Sequence, residues 1–357
     1  MPAVASAALR TRRHVRWCLL PLVLFALLGI GMAGGQWWTS LPVVFLLVVV
    51  PGLDLLTGWQ DDGHFAQKHF ARVELAVLRW NVRLYAVLNI ACVILLTLTV
   101  ERWSGLELGF LLAAASLISA IGFASAHELL HGPARFDQFL QALLTPFLFY
   151  PHYKLIHVYS HHVHVSTPGD ENTAWRSESI YRYLWRTIPG SMTRCWRLDC
   201  ERRARAADAK GRSWLGNRML AHGAGQALLL IGLYGLSGLP GLLFYVGHVV
   251  GAHVVLESVN YIQHYGLLRG PLAEAGKYER TGAQHSWDTY HFFSSYVTFR
   301  TGHHSNHHVS AGPYYLLAPE ASAPKLPLGY FWAIALVLLP PWWWATINRR
   351  LPAQSAR

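Results

Sequence analysis

Charged side chains are scarce in this chain. Asp, Glu, Lys and Arg make up 14% of its 357 residues and hydrophobic residues 53%, whereas about 25% of a typical soluble domain is charged. Acidic residues are rarer than basic ones, 19 against 30, which gives the chain a formal net charge of +11. This composition argues against a soluble enzyme and indicates an integral membrane protein.

Cysteine is also rare, and its four residues form no Cys-x-x-Cys pair. Cys18 and Cys92 lie in apolar runs, where we interpret them as packing residues. We place Cys195 and Cys200 on the reducing side of the membrane. The sequence therefore contains no rubredoxin-like iron site, and any electrons that the protein needs must come from another protein.

Uncharged runs are long enough for membrane helices, which need about 20 apolar residues. The sequence predicts about six spans, and the last two are joined by a turn at residues 237–240. The predicted spans are 17–34, 38–56, 84–100, 108–126, 219–236 and 240–259. The blocks 127–218 and 260–357 are predicted to form a histidine-rich helical cap in the cytosol. We therefore predict a single all-helical membrane domain over residues 1–357.

The two hydrophobic ends of the chain each have an alternative interpretation. The first run could be a cleaved signal peptide, but it is long and a second span follows at once, so we predict a retained anchor. The last run, residues 328–347, contains Pro340-Pro341 and Trp342-Trp343-Trp344. Prolines interrupt helices and tryptophans gather at membrane interfaces, so we predict that this run lies in or dips into the interface.

The distribution of basic residues predicts the orientation. Lys and Arg concentrate before the first predicted span, between the second and third, and after the fourth, while the opposite connections are short and nearly free of them. Because positive residues mark the cytoplasmic side, we predict that both termini and the histidine-rich cap face the cytoplasm from the inner (plasma) membrane. We expect this positive charge to meet anionic lipid head groups and an acidic redox partner, and no nucleic acid.

Histidine is abundant, with 20 residues, and four short stretches concentrate it. They are His127-Glu-Leu-Leu-His131, His157-Val-Tyr-Ser-His161-His162, Tyr261-Ile-Gln-His264-Tyr-Gly266 and His304-Ser-Asn-His307-His308. Residues three or four apart share one helix face, so we expect each multi-histidine stretch to aim its imidazoles at a common point. Neutral imidazole binds iron, copper, nickel and zinc, and this number of imidazoles suits two ions better than one.

Other functions account for only part of this pattern. His-Glu-x-x-His alone is the zinc motif of a metalloprotease with Glu128 as general base, but the other stretches would then have no role. A metal transporter or store would place polar residues within its spans. Here these are few, namely His248, His253 and Glu257 in the last span. The favoured hypothesis is a two-metal oxidation centre.

Two ions bound mainly by neutral imidazoles keep an excess of positive charge, which predicts carboxylates nearby. Glu128 lies within the first stretch, and Glu257 lies two helical turns before the histidine of the third. Asp170 follows the second stretch, with a turn-forming role as its alternative. Asp54, at the end of the second predicted span, is a weaker candidate that could instead cap a helix.

The histidine stretches and the short motifs around them resemble those of the membrane-bound alkane hydroxylases and of the related xylene monooxygenase hydroxylase subunit. Both belong to the membrane fatty acid desaturase superfamily. The additional motifs are Ser166-Thr-Pro-Gly-Asp170, Asn260-Tyr-Ile-Gln-His-Tyr-Gly-Leu267 and Gln284-His-Ser-Trp287. The resemblance covers most of residues 54–317. It implies a di-iron site that activates dioxygen. The implied iron ligands are His127, His131, His157, His161, His162, His264, His304, His307 and His308.

The resemblance also implies an activity and partners. It implies oxidation of an unactivated C–H bond in a hydrophobic alkyl substrate, either an alkane or an alkyl-aromatic compound. Electrons would come from a rubredoxin or ferredoxin and an NAD(P)H reductase. A fatty acid decarboxylase that makes terminal alkenes and a lipid desaturase remain alternatives.

Two positions depart from the alkane hydroxylase pattern, and three further histidines lie beside it. Alkane hydroxylases typically have Glu where this chain has Ile156 and Gln263, and both choices are closer to the xylene-type subunit. We expect His285, His291 and His303 to be structural or hydrogen-bonding neighbours rather than ligands.

Overall fold

The computed structural model describes residues 2–59, 69–206 and 216–352. Within those ranges the chain is helical, and its only β-pairings there are isolated bridges such as that between Trp59 and His291. The helices are α1 (Pro2–Cys18), α2 (Val23–Gly34), α3 (Leu41–Val44), α4 (Val50–Thr57), α5 (Arg72–Leu98), α6 (Gly105–His131), α7 (Arg135–Phe147), α8 (Tyr153–Ile156), α9 (His162–His164), α10 (Ile180–Ala206), α11 (Arg218–His264), α12 (Phe292–Val297), α13 (His304–Ser310), α14 (Tyr330–Val337) and α15 (Pro340–Ile347). The predicted all-helical fold is confirmed.

Among the described residues, five helical stretches are long and apolar enough to cross a membrane, so this is a multi-pass membrane protein. They are Leu9–Gly34, Gln36–Thr57, Arg72–Leu98, Gly105–His131 and Arg218–His264. The last of these, α11, has 47 residues and is broken at Gly238, whose φ of 63° and ψ of −167° are not helical. Leu229 and Leu233 before the break pack with Tyr245 and Val249 after it, so the two halves lie side by side. This reversal supports two crossings in α11.

The second half of α11 packs closely against α6. A β-carbon on Gly251 would collide with Ser116 Oγ, and one on Gly247 would lie 3.3 Å from Leu112 Cδ1. Small residues four apart let two membrane helices approach this closely. Because residue 247 pairs with 112 and residue 251 with 116, the helices run in the same direction. Their histidine-bearing ends therefore lie at the same end of the molecule.

The last hydrophobic run forms two short helices. Leu339, with φ −117° and ψ 74°, separates α14 from α15 directly before Pro340. Trp343 of α15 is buried in a cluster with Tyr261 and Tyr265 from the end of α11 and the residue after it. Each helix has eight residues, too few to cross a bilayer alone, which supports an interfacial position.

Asp54 has the capping role that the sequence left open. Its buried carboxylate accepts hydrogen bonds from the backbone N–H groups of Phe293 (2.8 Å) and Ser294 (3.2 Å) at the start of α12. Carboxylates stabilise helix N-termini in this way. Asp54 thus anchors α4 to the segment that leads to the last histidine stretch.

Candidate metal centre

The structure brings together the ring nitrogens of all the histidines singled out as ligands, in two neighbouring groups. Within each group, the nitrogens that could bind a metal lie within 4.8 Å of one another. The five-histidine group consists of His127, His131, His157, His162 and His307. The four-histidine group consists of His161, His264, His304 and His308. That these residues are iron ligands stays a prediction.

The second histidine stretch divides between the two groups, contrary to the expectation that each stretch aims at one point. Residues 157–161 form a π-helical turn, in which hydrogen bonds join residues five apart instead of four. The turn brings His157 Nε2 within 2.9 Å of His162 Nε2 in the five-histidine group. His161 belongs to the other group. A single segment therefore serves both groups.

The last stretch divides in the same way, on α13. His304 and His308 are four residues apart on one face of this helix, and their Nε2 atoms are 2.9 Å apart in the four-histidine group. His307 lies on a different face, and its Nε2 is 3.2 Å from His162 Nε2 in the five-histidine group. Of the three stretches that contain several histidines, only the first, at the end of α6, supplies one group alone.

The nitrogens in each group are spaced as ligands of one ion would be. The Nε2–Nε2 distances of 2.9–3.2 Å match the separation of about 3 Å between two nitrogens that each bind an ion at about 2.1 Å and at a right angle. Each Nε2 has a single bonding direction in the plane of its ring. His304 Nε2 nevertheless lies close to two neighbours, His264 and His308, which suits ligands around an ion better than a hydrogen-bond network.

The buried imidazole of His127, which lacks hydrogen-bond partners, also indicates a metal site. In the described part of the chain, both ring nitrogens of His127 are buried and neither has a hydrogen-bond partner. Leaving a buried polar group unpaired costs roughly 1–3 kcal/mol. Because the rings packed around His127 include His131, His157 and His307, a metal ion fits this position.

The imidazoles are held in the form that binds metals. Burial, reinforced by neighbouring imidazoles, keeps the pKa values of His157, His304, His307 and His308 well below the usual value. Burial also lowers the pKa of His162 to about 3. These rings are neutral at physiological pH, as metal ligation requires.

Asp170 contacts a candidate ligand directly. His161 Nδ1 donates to Asp170 Oδ2 at 2.9 Å, and both side chains are buried. Burial alone would raise the pKa of Asp170, but its attraction to His161 and the hydrogen bond outweigh burial and lower it. The carboxylate therefore keeps the proton of His161 on Nδ1, which leaves Nε2 free for a metal.

The other two predicted carboxylates lie beside the centre. Glu128 accepts a hydrogen bond from the backbone N–H of Tyr314 (3.0 Å). Glu257 accepts hydrogen bonds from Asn260 Nδ2 (3.1 Å) and the Tyr183 hydroxyl (3.4 Å). Glu128 thereby holds the segment that contains Tyr314. Glu257 links Tyr183 of α10 to α11, which ends at His264. A catalytic role for Glu128, Glu257 or Asp170 stays a prediction.

The sequence did not reveal two further residues of the centre. The Tyr314 hydroxyl lies 3.0 Å from His304 Nδ1 and is its hydrogen-bond partner. Asp288 accepts from the backbone N–H (2.8 Å) and the hydroxyl (2.6 Å) of Ser305, and so caps α13. Asp288 directly follows the Gln284–Trp287 motif, and this proximity could have marked it as a residue of the site. No feature of the sequence singled out Tyr314.

His285, His291 and His303 lie outside both groups. His285 pairs with Glu279, with 3.1 Å between Nε2 and Oε1. His291 Nδ1 is 2.9 Å from the Thr289 hydroxyl. His303 Nε2 is 2.9 Å from Arg300 Nη2. These contacts agree with structural roles.

A largely apolar cavity adjoins both groups, with a volume of about 760 Å³ that includes its opening to the surface. His127, His157, His161 and His304 line one end of it, and Leu117 of α6 also lines it. Leu117 is ten residues before His127 on the same helix, so the cavity extends about 15 Å along α6. Its remaining walls come from α8, α11, α14, the segment after α12 and Tyr314. This arrangement could hold an apolar chain with one carbon beside the imidazoles.

Comparisons with known proteins agree with this geometry. The family model "Fatty acid desaturase" matches residues 102–330. The chain is 32% identical to alkane 1-monooxygenase 2 of Pseudomonas aeruginosa, over 98% of this chain and 94% of that protein. It is 30% identical to alkane 1-monooxygenase of Ectopseudomonas oleovorans, over 94% and 83% of the two chains. It is also 30% identical to the xylene/toluene monooxygenase hydroxylase component XylM of Pseudomonas putida, over 68% and 63%.

Proposed function

This chain belongs to the fatty acid desaturase family and is an oxygen-dependent monooxygenase, and from that premise we propose that it hydroxylates an unactivated C–H bond of an alkane or alkyl-aromatic substrate at a two-iron site. The resemblance seen in the histidine stretches is confirmed. The observation that carries the proposal is the position of two imidazole groups at one end of an apolar cavity.

The metals of this proposal are two iron ions, one for each histidine group. Imidazole binds several transition metals, and the choice of iron is supported by the monooxygenase relatives. When bound, iron would supply the redox chemistry that couples the reduction of dioxygen, the co-substrate, to oxidation of the C–H bond.

The protein's own residues position the reactants. Neutral imidazoles hold the metals, and Asp170 and Tyr314 orient His161 and His304 through their Nδ1 atoms. The apolar walls near Leu117 and Phe331 exclude water and restrict the substrate to few orientations, which lowers the entropic part of the barrier.

The proposed electron donor is a rubredoxin or ferredoxin reduced by an NAD(P)H reductase. We place its docking surface at Tyr159, Val163 and Val309, because these apolar and aromatic side chains are exposed next to candidate ligands. Basic side chains border them, since Arg269 Nη1 donates to the Val163 carbonyl (3.3 Å) and Arg194 Nε to the Ser160 hydroxyl (3.0 Å). An apolar centre with a basic border suits a small acidic protein.

The proposed location is the inner membrane, with both termini and the metal centre on the cytoplasmic side. The arginines of α10, which follow the second histidine stretch, support this orientation through the preference of positive residues for the cytoplasm. Anionic lipid head groups would then meet the same basic side chains.

Parallel product analysis tests the proposal. Cells that express the protein with an electron donor would be given octane, p-xylene and lauric acid, and the products identified by mass spectrometry. We expect 1-octanol or 4-methylbenzyl alcohol, and one iron per histidine group in the purified protein. A terminal alkene or an unsaturated acid from lauric acid, without either alcohol, would instead identify a decarboxylase or a desaturase. One zinc per chain with peptide cleavage would identify a protease.

A further inference from the structure

The N-terminal helix α1 buries a face that is not wholly apolar. The buried side chains, which have the spacing of one helix face, are Thr11, His14, Val15 and Cys18. The arginines of α1 are exposed, so the helix docks on the rest of the protein through the buried face. A buried polar side chain costs stability unless it is hydrogen-bonded. The partners of His14 therefore indicate what this imidazole does.

His14 joins α1 to two segments near the other end of the chain. Its Nε2 lies 2.8 Å from the Tyr315 carbonyl oxygen, and its Nδ1 lies 2.7 Å from the Tyr296 hydroxyl. A carbonyl can only accept, so Nε2 donates to it and Nδ1 of the neutral ring accepts from the hydroxyl. Cys18 Sγ, 3.6 Å from Nε2, is a weaker neighbour on the same helix. Tyr296 belongs to α12, and Tyr315 lies in a 3₁₀ turn formed by Tyr314–Leu316.

This turn positions Tyr314, which contacts one candidate ligand of each histidine group. The Tyr314 hydroxyl is 3.0 Å from His304 Nδ1 in the four-histidine group. Its ring stacks on His307 of the five-histidine group, with 4.7 Å between the ring centroids and 23° between the planes. The Leu317 N–H donates to the Tyr314 carbonyl at 3.1 Å and closes the turn. Because Tyr315 follows Tyr314 within this turn, a hydrogen bond to the Tyr315 carbonyl also restricts the ring of Tyr314.

Two other side chains hold the same turn. Glu128 accepts from the Tyr314 N–H at 3.0 Å, and Arg300 Nη1 donates to the Tyr315 carbonyl at 3.3 Å. The bond from His14 to this carbonyl is the shorter of the two, at 2.8 Å. Glu128 and Arg300 lie on segments that adjoin the histidines, whereas His14 lies on α1. His14 therefore fixes the turn relative to a helix that contributes none of the candidate ligands.

We propose that His14 is a positioning residue for the metal centre, because it holds the Tyr314–Leu316 turn from α1 and so fixes the ring of His304 through the Tyr314 hydroxyl. The inference rests on the proposed function, since it concerns ligands of the proposed iron ions. His14 and Tyr315 are 301 positions apart in the chain, so no local pattern marks this role. Without His14 the ligands remain, but the orientation of His304 is less restricted.

The test compares variants of the full-length protein, purified in lipid nanodiscs with its iron. His14→Leu removes both ring nitrogens at similar volume. His14→Gln keeps an N–H donor that can reach the Tyr315 carbonyl. Val15→Ala is the matched control, because it removes packing from the same buried face of α1 and leaves the hydrogen bonds of His14 in place.

Hydrogen–deuterium exchange in peptides that cover Tyr314–Leu317 reports how firmly the turn is held. In His14→Leu, exchange should be about twofold to tenfold faster than in the native protein, which matches the loss of one neutral hydrogen bond. In His14→Gln it should stay close to the native rate. Val15→Ala should lower the Tm without this acceleration. Unchanged exchange in His14→Leu, or an equal rise in Val15→Ala, would overturn the inference.

Iron affinity, measured by competition with a chelator, reports the effect on His304. In His14→Leu, the four-histidine group should bind iron about twofold to tenfold more weakly, and His14→Gln should restore most of the affinity. Because His14 acts through the Tyr314 hydroxyl, combining His14→Leu with Tyr314→Phe should weaken binding little more than Tyr314→Phe alone. Additive losses in the double variant would show that His14 acts by another route and would overturn the inference.

The two measurements separate this inference from the proposed function. A native protein without iron in its histidine groups would contradict the proposed function, and the exchange rates would still decide whether His14 holds the turn. A native protein that binds two irons and oxidises octane would support the proposed function. If His14→Leu then matched it in exchange and in iron affinity, only the role of His14 would be overturned.

Discussion

The two histidine groups are held in place by different means. In the four-histidine group, two rings have side-chain partners on their outer side, because Asp170 binds His161 and Tyr314 binds His304. The outer Nδ1 atoms of His264 and His308 have no partner among the described residues. In the five-histidine group, the outer nitrogen of His307 has a backbone partner, the Gly312 carbonyl oxygen at 3.4 Å from Nδ1, and both ring nitrogens of His127 lack a partner among the described residues. We infer that oriented ligands organise one group and that a larger number of ligands organises the other. The two groups should therefore respond differently to mutation.

The largest effect should come from the ligands themselves. His161→Ala removes one of four imidazoles from its group and His307→Ala one of five from the other. We expect both variants to lose alkyl oxidation, and His161→Ala to lose more iron, as measured by elemental analysis. The exposed His69 provides a control, because His69→Ala should retain activity and metal. Turnover with full metal in either test variant would remove that residue from the site.

Asp170→Asn should weaken only the four-histidine group. Without the carboxylate His161 loses the partner that fixes its tautomer, and such changes typically lower metal affinity about 10–100-fold. Iron retention during titration with a chelator would show one ion leaving early and the other as in the native protein. Glu171→Gln is the control, since it removes the adjacent carboxylate. Simultaneous loss of both ions from Asp170→Asn would show that the groups are not independent.

Gly251→Ala tests whether the two groups depend on the packing of α6 against α11. His127 is on α6 and His264 on α11, so the collision of a new methyl group with Ser116 should shift one relative to the other. We expect a loss of about 1–3 kcal/mol of stability, seen as a lower Tm. Gly235→Ala, where a β-carbon meets nothing within 4 Å, should not lower the Tm. Equal Tm values for the two variants would contradict the close packing.

The smallest effect should come from Tyr314→Phe. This change removes the hydroxyl on His304 Nδ1 and costs about 0.5–1.5 kcal/mol, as for a neutral hydrogen bond. Iron affinity of the four-histidine group should fall about twofold to tenfold by chelator competition, less than in Asp170→Asn. Tyr315→Phe removes a neighbouring hydroxyl and should leave the affinity unchanged. An equal loss in both tyrosine variants would indicate a general packing effect.

Local patterns made the membrane fold and the candidate ligands predictable. Apolar runs indicated the helices, and a pair of histidines four residues apart, such as His127 and His131, needs only one helix to share a face. The turn at residues 237–240 was visible from its glycine and proline, and the break at Gly238 lies within it. Tyr314 could not be predicted in this way, because its position beside His304 depends on the path of the chain between them.

By itself, the sequence determined that this is a helical membrane protein with a histidine-rich candidate metal centre, because hydropathy and short-range spacing act within single segments. Only the tertiary structure decided how the histidines divide between two groups, since His161 and His162 are adjacent in the chain and belong to different ones. Tertiary structure also decided that Asp170 and Tyr314 orient candidate ligands. The physical reason is that these roles depend on distances between segments, which the packing of α6, α11 and α13 sets and which no local pattern encodes.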